Sequence, residues 1–171
     1  MPAPRLLALD WGTSTLRAWR LGEEGAVLAQ RQQPWGLMHL PEGGFEAALR
    51  GIAEGWLDDG APLIAAGMVG SAQGWVEAPY CSLPAAAGAL VGKGREVPLG
   101  AGRTLHLVPG LVKDAPGSTP DVMRGEETQI AGILAGHPDF DGIVCLPGTH
   151  TKWVRVSASE ICYFQTVMTG E

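Results

Sequence analysis

The residues best suited to chemistry are Asp10-Trp11-Gly12-Thr13-Ser14-Thr15-Leu16-Arg17. A short apolar run delivers an acid, and a glycine then lets the backbone turn tightly. Thr13, Ser14 and Thr15 place hydroxyls and backbone N–H groups in a concave turn that suits phosphate oxygens. Asp10 can hold Mg2+ through water, because that ion keeps much of its hydration. Arg17 can add a fork of donors to the same phosphates. On its own the motif also reads as an ordinary polar hairpin with an exposed Asp. A turn of the same kind recurs at Leu146-Pro147-Gly148-Thr149-His150-Thr151-Lys152. Alone it reads as a plain hairpin. Paired with the first, it makes Gly148, Thr149 and His150 a second phosphate contact, so that two turns from two similar domains grip one nucleotide tail. Lys152 alternates away from the turn and is expected at the surface.

Two further segments carry chemistry. Asp121-Val122-Met123-Arg124-Gly125-Glu126-Glu127-Thr128-Gln129 lies between the two turns. Phosphoryl transfer to a hydroxyl needs a carboxylate within hydrogen-bond reach of that hydroxyl, and Asp121, Glu126 and Glu127 compete for the role. The plainer reading is that these acids cap a helix and offset its dipole. The segment from Gly67 to Tyr80 brings together glycines, Ser71, Gln73, Trp75, Glu77 and Tyr80. Hydrogen-bonding groups beside a flat apolar ring suit a sugar; a structured surface loop with one buried Trp is the alternative.

The elements that must position these groups follow from the pattern. Arg5–Asp10, Leu16–Leu21 and Ala26–Arg31 read as an antiparallel three-stranded meander. Phe45–Leu57 has helical spacing, with Phe45, Leu49, Ile52, Ala53 and Trp56 on one face. Pro62–Met68 and Thr104–Val108 read as a fourth and a fifth strand. Leu83–Val91 reads as a short Ala-rich helix, and Lys113–Thr119 as a loop. A helix ending at Leu134 starts at Thr119-Pro120-Asp121, which has a capping hydroxyl, a Pro in the first turn and an acid, or else at Gly125. Gly142–Leu146, Lys152–Val156 and Glu160–Val167 then repeat the opening order of strand, Gly-Thr turn, strand, turn, strand. Three strands with no covering layer leave an apolar sheet face open. Trp19, Trp35, Trp56 and Trp153 are expected in or near the core, and His39 and His106 in structural roles.

Composition narrows the classes. The chain has 171 residues, 46% of them hydrophobic, and a net charge of −6. That predicts a packed globular protein rather than a disordered one. There is no Lys/Arg stripe for a nucleic acid and no apolar run of about 20 residues for a membrane span. The start, Met1–Leu9, is too short for a signal peptide. Cys81, Cys145 and Cys162 lack metal-ligand spacing and read as buried or semi-buried thiols in a reducing cytoplasm. The four His residues are scattered.

Ala8–Ala18 resembles the first phosphate turn of sugar kinases in the actin, heat-shock chaperone and hexokinase superfamily. Gly67-Met68-Val69-Gly70-Ser71, Gln73-Gly74-Trp75, Glu77-Ala78-Pro79-Tyr80, Pro120–Gln129, Leu146–Val154 and Met168-Thr169-Gly170-Glu171 are similar to the 2-dehydro-3-deoxygalactonokinase family. The resemblance implies ATP-dependent, Mg2+-assisted phosphorylation of the 6-hydroxyl of 2-dehydro-3-deoxy-D-galactonate. It implies an α/β fold: a ribonuclease-H-like (actin-like ATPase) domain with a mixed five-stranded sheet over 1–118. The inter-domain helix and the start of a second such domain then occupy 119–171. Asp10, Gly12, Thr13, Ser14 and Arg17 would take the first phosphate-site roles, with Asp10 the metal-holding acid, and Gly148, Thr149 and His150 the second. Ser71, Gln73, Trp75 and Glu77 would face the sugar, and Arg124 its carboxylate. Asp121 has the side chain expected of the base and is preferred, while Gly125-Glu126 better matches the local glycine–acid pattern. The partners implied are the sugar acid and ATP, with no nucleic acid or membrane, and with room for a homodimer. The adenosine-binding part is expected beyond Glu171, so the chain by itself is expected to have little kinase activity. A kinase of another sugar or sugar acid, or a non-catalytic ATP-binding module of the same fold, are the alternatives.

Overall fold

A computed structural model describes residues 3–90 and 92–170. Val91, the expected end of the Ala-rich helix, and Glu171, the end of the last motif, lie outside the described residues. The chain divides into two compact units. The first holds the residues up to Ala78 with Arg95–Val108, and the second holds Pro79–Gly94 and the residues from Pro109 on.

In the first unit, β1 (Leu6–Trp11), β2 (Leu16–Leu21) and β3 (Val27–Gln33) form the expected meander. They join β4 (Leu63–Gly67), β7 (Arg95–Gly100) and β8 (Arg103–Leu107) in one mixed sheet of order β3-β2-β1-β4-β8-β7. The central strands β1, β4 and β8 are parallel, and the outer pairings are antiparallel. The sheet therefore has six strands, not the expected five. The extra one is β7, whose polar, Pro-containing sequence gives little strand signal and which occupies an edge, where Pro is tolerated.

Period-two alternation turns Leu7, Leu9, Trp11, Leu16, Ala18, Leu63, Leu105 and Leu107 inward. They pack on Ala48, Leu49 and Ile52 of α1 (Gly44–Ile52). This helix stops at Ile52, short of the Leu57 expected from the spacing. Gly55 takes φ +73° just beyond it. The Arg31 guanidinium donates to the freed carbonyls of Ile52 at 2.9 Å and Glu54 at 2.8 Å. It also lies 4.1 Å from the Trp56 ring centre. Local turn chemistry and one arginine thus override an apolar periodicity that runs on.

In the second unit, β5 (Tyr80–Ser82), β9 (Gly110–Lys113) and β10 (Asp121–Met123) form a small sheet of order β10-β9-β5. β6 (Ala85–Ala86), β11 (Gly142–Leu146), β12 (His150–Ser157) and β13 (Glu160–Met168) form a second, antiparallel sheet of order β11-β12-β13-β6. The Ala-rich stretch is thus β6 followed by a 3-10 turn over Ala87–Leu90, not an α-helix. Ile130 and Leu134 of α2 (Glu126–Gly136) bury against Val144, Val154, Val156, Ile161 and Phe164. The opposite face leaves Ile143 and Trp153 exposed, at 64% and 49%. Trp153, expected near the core, faces outward because the neighbouring Val154 takes the inward position of the alternation. Cys145 and Cys162 are exposed rather than buried, and only Cys81 is buried. No helix among the described residues is long and apolar enough to cross a membrane.

Candidate active site

The first turn is a closed, braced structure. β1 and β2 pair with Asp10 opposite Arg17, and the Gly12 N–H donates to the Thr15 carbonyl at 2.9 Å. Thr13 and Ser14 are left exposed at its tip. Arg17 Nη1 donates to Asp10 Oδ2 at 3.0 Å and Arg17 Nε to Gln32 Oε1 at 3.1 Å, a cross-strand row on one sheet face. Both charged side chains are nearly half exposed, so the pair stabilises the fold little and leaves Asp10 reachable. Among the described residues no cluster of three or more His, Cys, Asp or Glu side chains forms. A lone, accessible carboxylate beside a phosphate turn fits Mg2+, which takes one or two protein oxygens and fills its shell with water and phosphate.

Residues 35–38, which sequence reasoning passed over, hold this turn from behind. The Trp11 indole N–H donates to the Trp35 carbonyl at 2.8 Å. The N–H groups of Leu37 and Met38 donate to the carbonyls of Gly12 and Thr13, both at 3.0 Å. A Cβ on Gly36 would lie 2.3 Å from the Ser14 carbonyl carbon and 2.4 Å from the Thr13 oxygen. Gly36→Ala must therefore push the turn open, at about 1–3 kcal/mol of stability by analogy with overpacking. It is expected to weaken binding of inorganic tripolyphosphate, read by calorimetry against Gly132→Ala, where a Cβ meets nothing. A folded Gly36→Ala protein with unchanged affinity would contradict this role for the turn.

The loop after β4 folds back on itself. Gly67 takes φ +95°, with its Cβ position 2.7 Å from the Trp11 carbonyl oxygen, so only glycine fits. Trp75 N donates to the Val69 carbonyl at 2.8 Å. The Trp75 ring stacks on Phe45 at 5.8 Å and meets Trp11 edge-on at 6.3 Å. Trp75 thus anchors the loop instead of standing free as a sugar platform. Gln73 and Glu77 are exposed. The Ser71 hydroxyl is buried with no hydrogen-bond partner among the described residues. A buried, unsatisfied hydroxyl is costly and is a natural acceptor of a ligand group.

In the second unit the order of the acids differs from expectation. Asp121 does not start a helix. It lies in β10, opposite Lys113, and its carboxylate is fully engaged. Oδ2 accepts from the Thr166 N–H at 2.7 Å, and Oδ1 from the Thr166 hydroxyl at 2.7 Å and the Val122 N–H at 2.8 Å. Lys152, expected at the surface, is 5% exposed. Its ammonium donates to the Val122 carbonyl and the Thr166 hydroxyl, both at 2.6 Å, and stands 3.9 Å from Asp121. The pairing of strands against β10 makes Asp121, Thr166 and Lys152 one buried network that sequence spacing cannot reveal.

α2 starts instead at Glu126, the later of the two starts considered. Gly125, at φ +107°, makes the sharp entry. Glu126 Oε2 accepts from the Arg124 N–H at 3.0 Å, and Glu127 Oε2 from the Gly125 N–H at 2.7 Å. The other Glu126 oxygen has no partner among the described residues, and the side chain is partly exposed. Glu127 is fully buried, and burial pushes its carboxyl up to about 7, partly offset by the backbone and Thr128 donors. The Arg124 guanidinium lies 4.2 Å from the Tyr80 ring centre, with Nε 3.4 Å from the Tyr80 hydroxyl.

The second turn is also held from behind. Gly148, Thr149 and His150 are exposed, while the Thr151 hydroxyl is turned in and bonds the Gly148 N–H at 3.2 Å and the Thr169 hydroxyl. The Thr169 N–H donates to the Thr149 carbonyl at 3.2 Å, and a Cβ on Gly170 would come within 2.7 Å of Thr149 Cα. Each turn thus rests on a glycine distant in sequence, Gly36 for one and Gly170 for the other.

A family model of 2-keto-3-deoxy-galactonokinase matches residues 10–171. The chain is 42% identical over 165 residues to Probable 2-dehydro-3-deoxygalactonokinase DgoK1 of Rhizobium meliloti (strain 1021), covering 96% of this chain and 53% of that protein. It is 38% identical over 167 residues to 2-dehydro-3-deoxygalactonokinase of Escherichia coli (strain K12), covering 98% of this chain and 54% of that protein. The crystal structure of a Sinorhizobium meliloti protein described as a 2-dehydro-3-deoxygalactonokinase superposes with a TM-score of 0.86 at 40% identity, over 95% of this chain and 54% of that one. The chain spans about half the length of the curated relatives it matches. The matched motifs include both turns and the α2 acids, and the chain belongs to the 2-keto-3-deoxy-galactonokinase family.

Proposed function

We propose that this chain supplies the phosphate-holding and proton-accepting parts of an ATP-dependent kinase acting on 2-dehydro-3-deoxy-D-galactonate at its 6-hydroxyl. The observation that carries the reading is the pair of exposed Gly-Thr turns, each between antiparallel strands and each backed by a remote glycine. Gly12, Thr13, Ser14 and Arg17 hold phosphate at one turn, and Gly148, Thr149 and His150 at the other. Asp10 would hold Mg2+, whose charge offsets that of the phosphates. The sheet order β3-β2-β1-β4-β8 supports a ribonuclease-H-like reading of the first unit. The division into domains over 1–118 and 119–171 and a cytoplasmic setting go with this proposal.

The proton of the substrate hydroxyl goes to Glu126 in this reading. Its second oxygen is unengaged and it sits at the positive end of α2, whereas the oxygens of Asp121 are taken by Thr166 and Val122. Asp121 then acts as the anchor of β10. Ser71, Gln73 and Glu77 contact sugar hydroxyls, Trp75 fixes their loop, and Arg124 faces the substrate carboxylate. The test is ATP consumption by a protein that carries this chain at the length of its relatives, screened over 2-keto-3-deoxy acids and neutral sugars. Turnover dependent on 2-dehydro-3-deoxy-D-galactonate is expected, with neutral sugars at least about 100-fold less effective. ATP binding with no sugar-dependent turnover would overturn the reading.

A further inference from the structure

The ammonium of Lys113 has no role in the chemistry described so far. Lys113 ends β9 and is 7% exposed. Its Nζ lies 4.5 Å from the Tyr163 ring centre and 3.4 Å from the Tyr163 hydroxyl, a long contact to a neutral group. None of the ion pairs among the described residues includes it. A cation withdrawn this far from water without a carboxylate is costly, and a cation–π contact returns only part of that cost. Asp121, the nearest acid along the β9–β10 pairing, is turned to Thr166 and Val122 instead.

Lys113 and Tyr163 line a cavity of about 410 Å3, together with Ser118, Thr119, Asp121 and Gln165 among others. That volume is typical of small-molecule sites, roughly 300–1,000 Å3. Its walls offer one cation, two aliphatic hydroxyls, one side-chain amide and an aromatic ring. Lys113 is the only cation in the lining, and the Asp121 carboxylate counts against a dianion. A phosphate would ask for several donors or a second cation. A single carboxylate satisfies the ammonium, and hydroxyls on the same molecule satisfy Thr119 and Gln165.

We propose that this cavity binds a small hydroxylated monocarboxylate, with its carboxylate on Lys113. The inference does not depend on the kinase reading, because it concerns equilibrium binding without nucleotide. The experiment is calorimetry on the purified protein with D-galactonate, galactitol, acetate and inorganic phosphate. D-galactonate is expected to bind. Galactitol, which lacks the charge, and acetate, which lacks the hydroxyls, are each expected to bind about tenfold or more weakly, the loss of one charge-assisted or several neutral contacts. Lys113→Met loses about the same factor, while Lys113→Arg retains binding. Thr119→Val, at an exposed position of the wall, weakens galactonate binding without touching the buried amine. In an active protein containing the chain, a raised KM for the sugar acid in Lys113→Met marks the cavity as a subsite for the phosphoryl acceptor. An unchanged KM with lost galactonate binding marks a separate regulatory pocket, and both support the proposal. Equal affinity for galactonate and galactitol, displacement of galactonate by phosphate, or wild-type affinity in both Lys113→Met and Thr119→Val overturns it.

Discussion

Replacing Glu126 by Gln is expected to lower turnover by about 10²–10⁴-fold, the usual contribution of a positioned general base, with a small change in KM. Gln keeps the side chain's shape and can still accept from the Arg124 N–H, so the start of α2 survives. What is lost is the free carboxylate oxygen that takes a proton. Asp121→Asn is expected to behave in the opposite way. Asn turns an amide N–H2 toward one of the three donors that now meet Asp121 oxygens, so a buried network is left partly unsatisfied. That costs about 1–3 kcal/mol of stability while turnover stays within about tenfold. Steady-state ATP consumption and melting of the two variants separate the roles. A folded Asp121→Asn protein without activity, beside a Glu126→Gln protein near normal, would reverse the assignment.

The difference between these two acids marks the limit of what the residue order reveals. Both were visible as candidates, and so was the glycine–acid step at Gly125-Glu126. The order alone favoured Asp121, because Thr119-Pro120-Asp121 reads as a helix start. It is not one, because β10 pairs with β9 across a turn and its Asp caps the N–H of Thr166 from another strand. A contact 45 residues apart in sequence decided the conformation of a segment whose local signals pointed elsewhere. Lys152 was misplaced for the same reason: alternation says which face a side chain leaves from, not whether another strand covers that face.

Elements with a strong period were legible. The opening meander, β4, the closing meander and both Gly-Thr turns stand where apolar alternation and glycine put them. The elements that escaped are short or polar. β5, β6, β9 and β10 run for four residues or fewer and are held by pairing rather than by propensity. The braces behind the turns were invisible too. Gly36 and Gly170 carry no local pattern; their meaning is the space they leave against Ser14 and Thr149. β9 pairs in parallel with β5 and antiparallel with β10, which is why Pro79–Gly94 and the residues from Pro109 on pack as one unit.

Glu127 offers the second large effect, and it concerns stability rather than turnover. Its carboxyl is raised from 4.5 to about 7, chiefly by burial, with the neighbouring Glu126 charge acting in the same direction. The folded protein therefore holds a proton that the unfolded chain has released between pH 4.5 and about 7. Stability must fall as pH rises through that window, and the loss is complete above it. At about 1.4 kcal/mol per pH unit the whole span amounts to roughly 3 kcal/mol. Asp141 moves the other way: its hydrogen bond from Ser157, then that from Arg155, lowers its pKa from 3.8. Its contribution is lost only as pH falls below that value, outside the Glu127 window. Glu127→Gln removes the titrating group but keeps an oxygen for the Gly125 N–H, and its amide can donate to the Thr128 hydroxyl. The variant is expected to melt higher than the parent at pH 8, by about 5 °C or more, and close to it at pH 5. Amide exchange at Gly125 and Ile130 should slow in parallel at the higher pH, since both belong to the unit that Glu127 strains. A melting difference independent of pH between 5 and 8 would mean that Glu127 is ionised throughout. Its buried carboxylate would then be fully compensated by the donors at the start of α2.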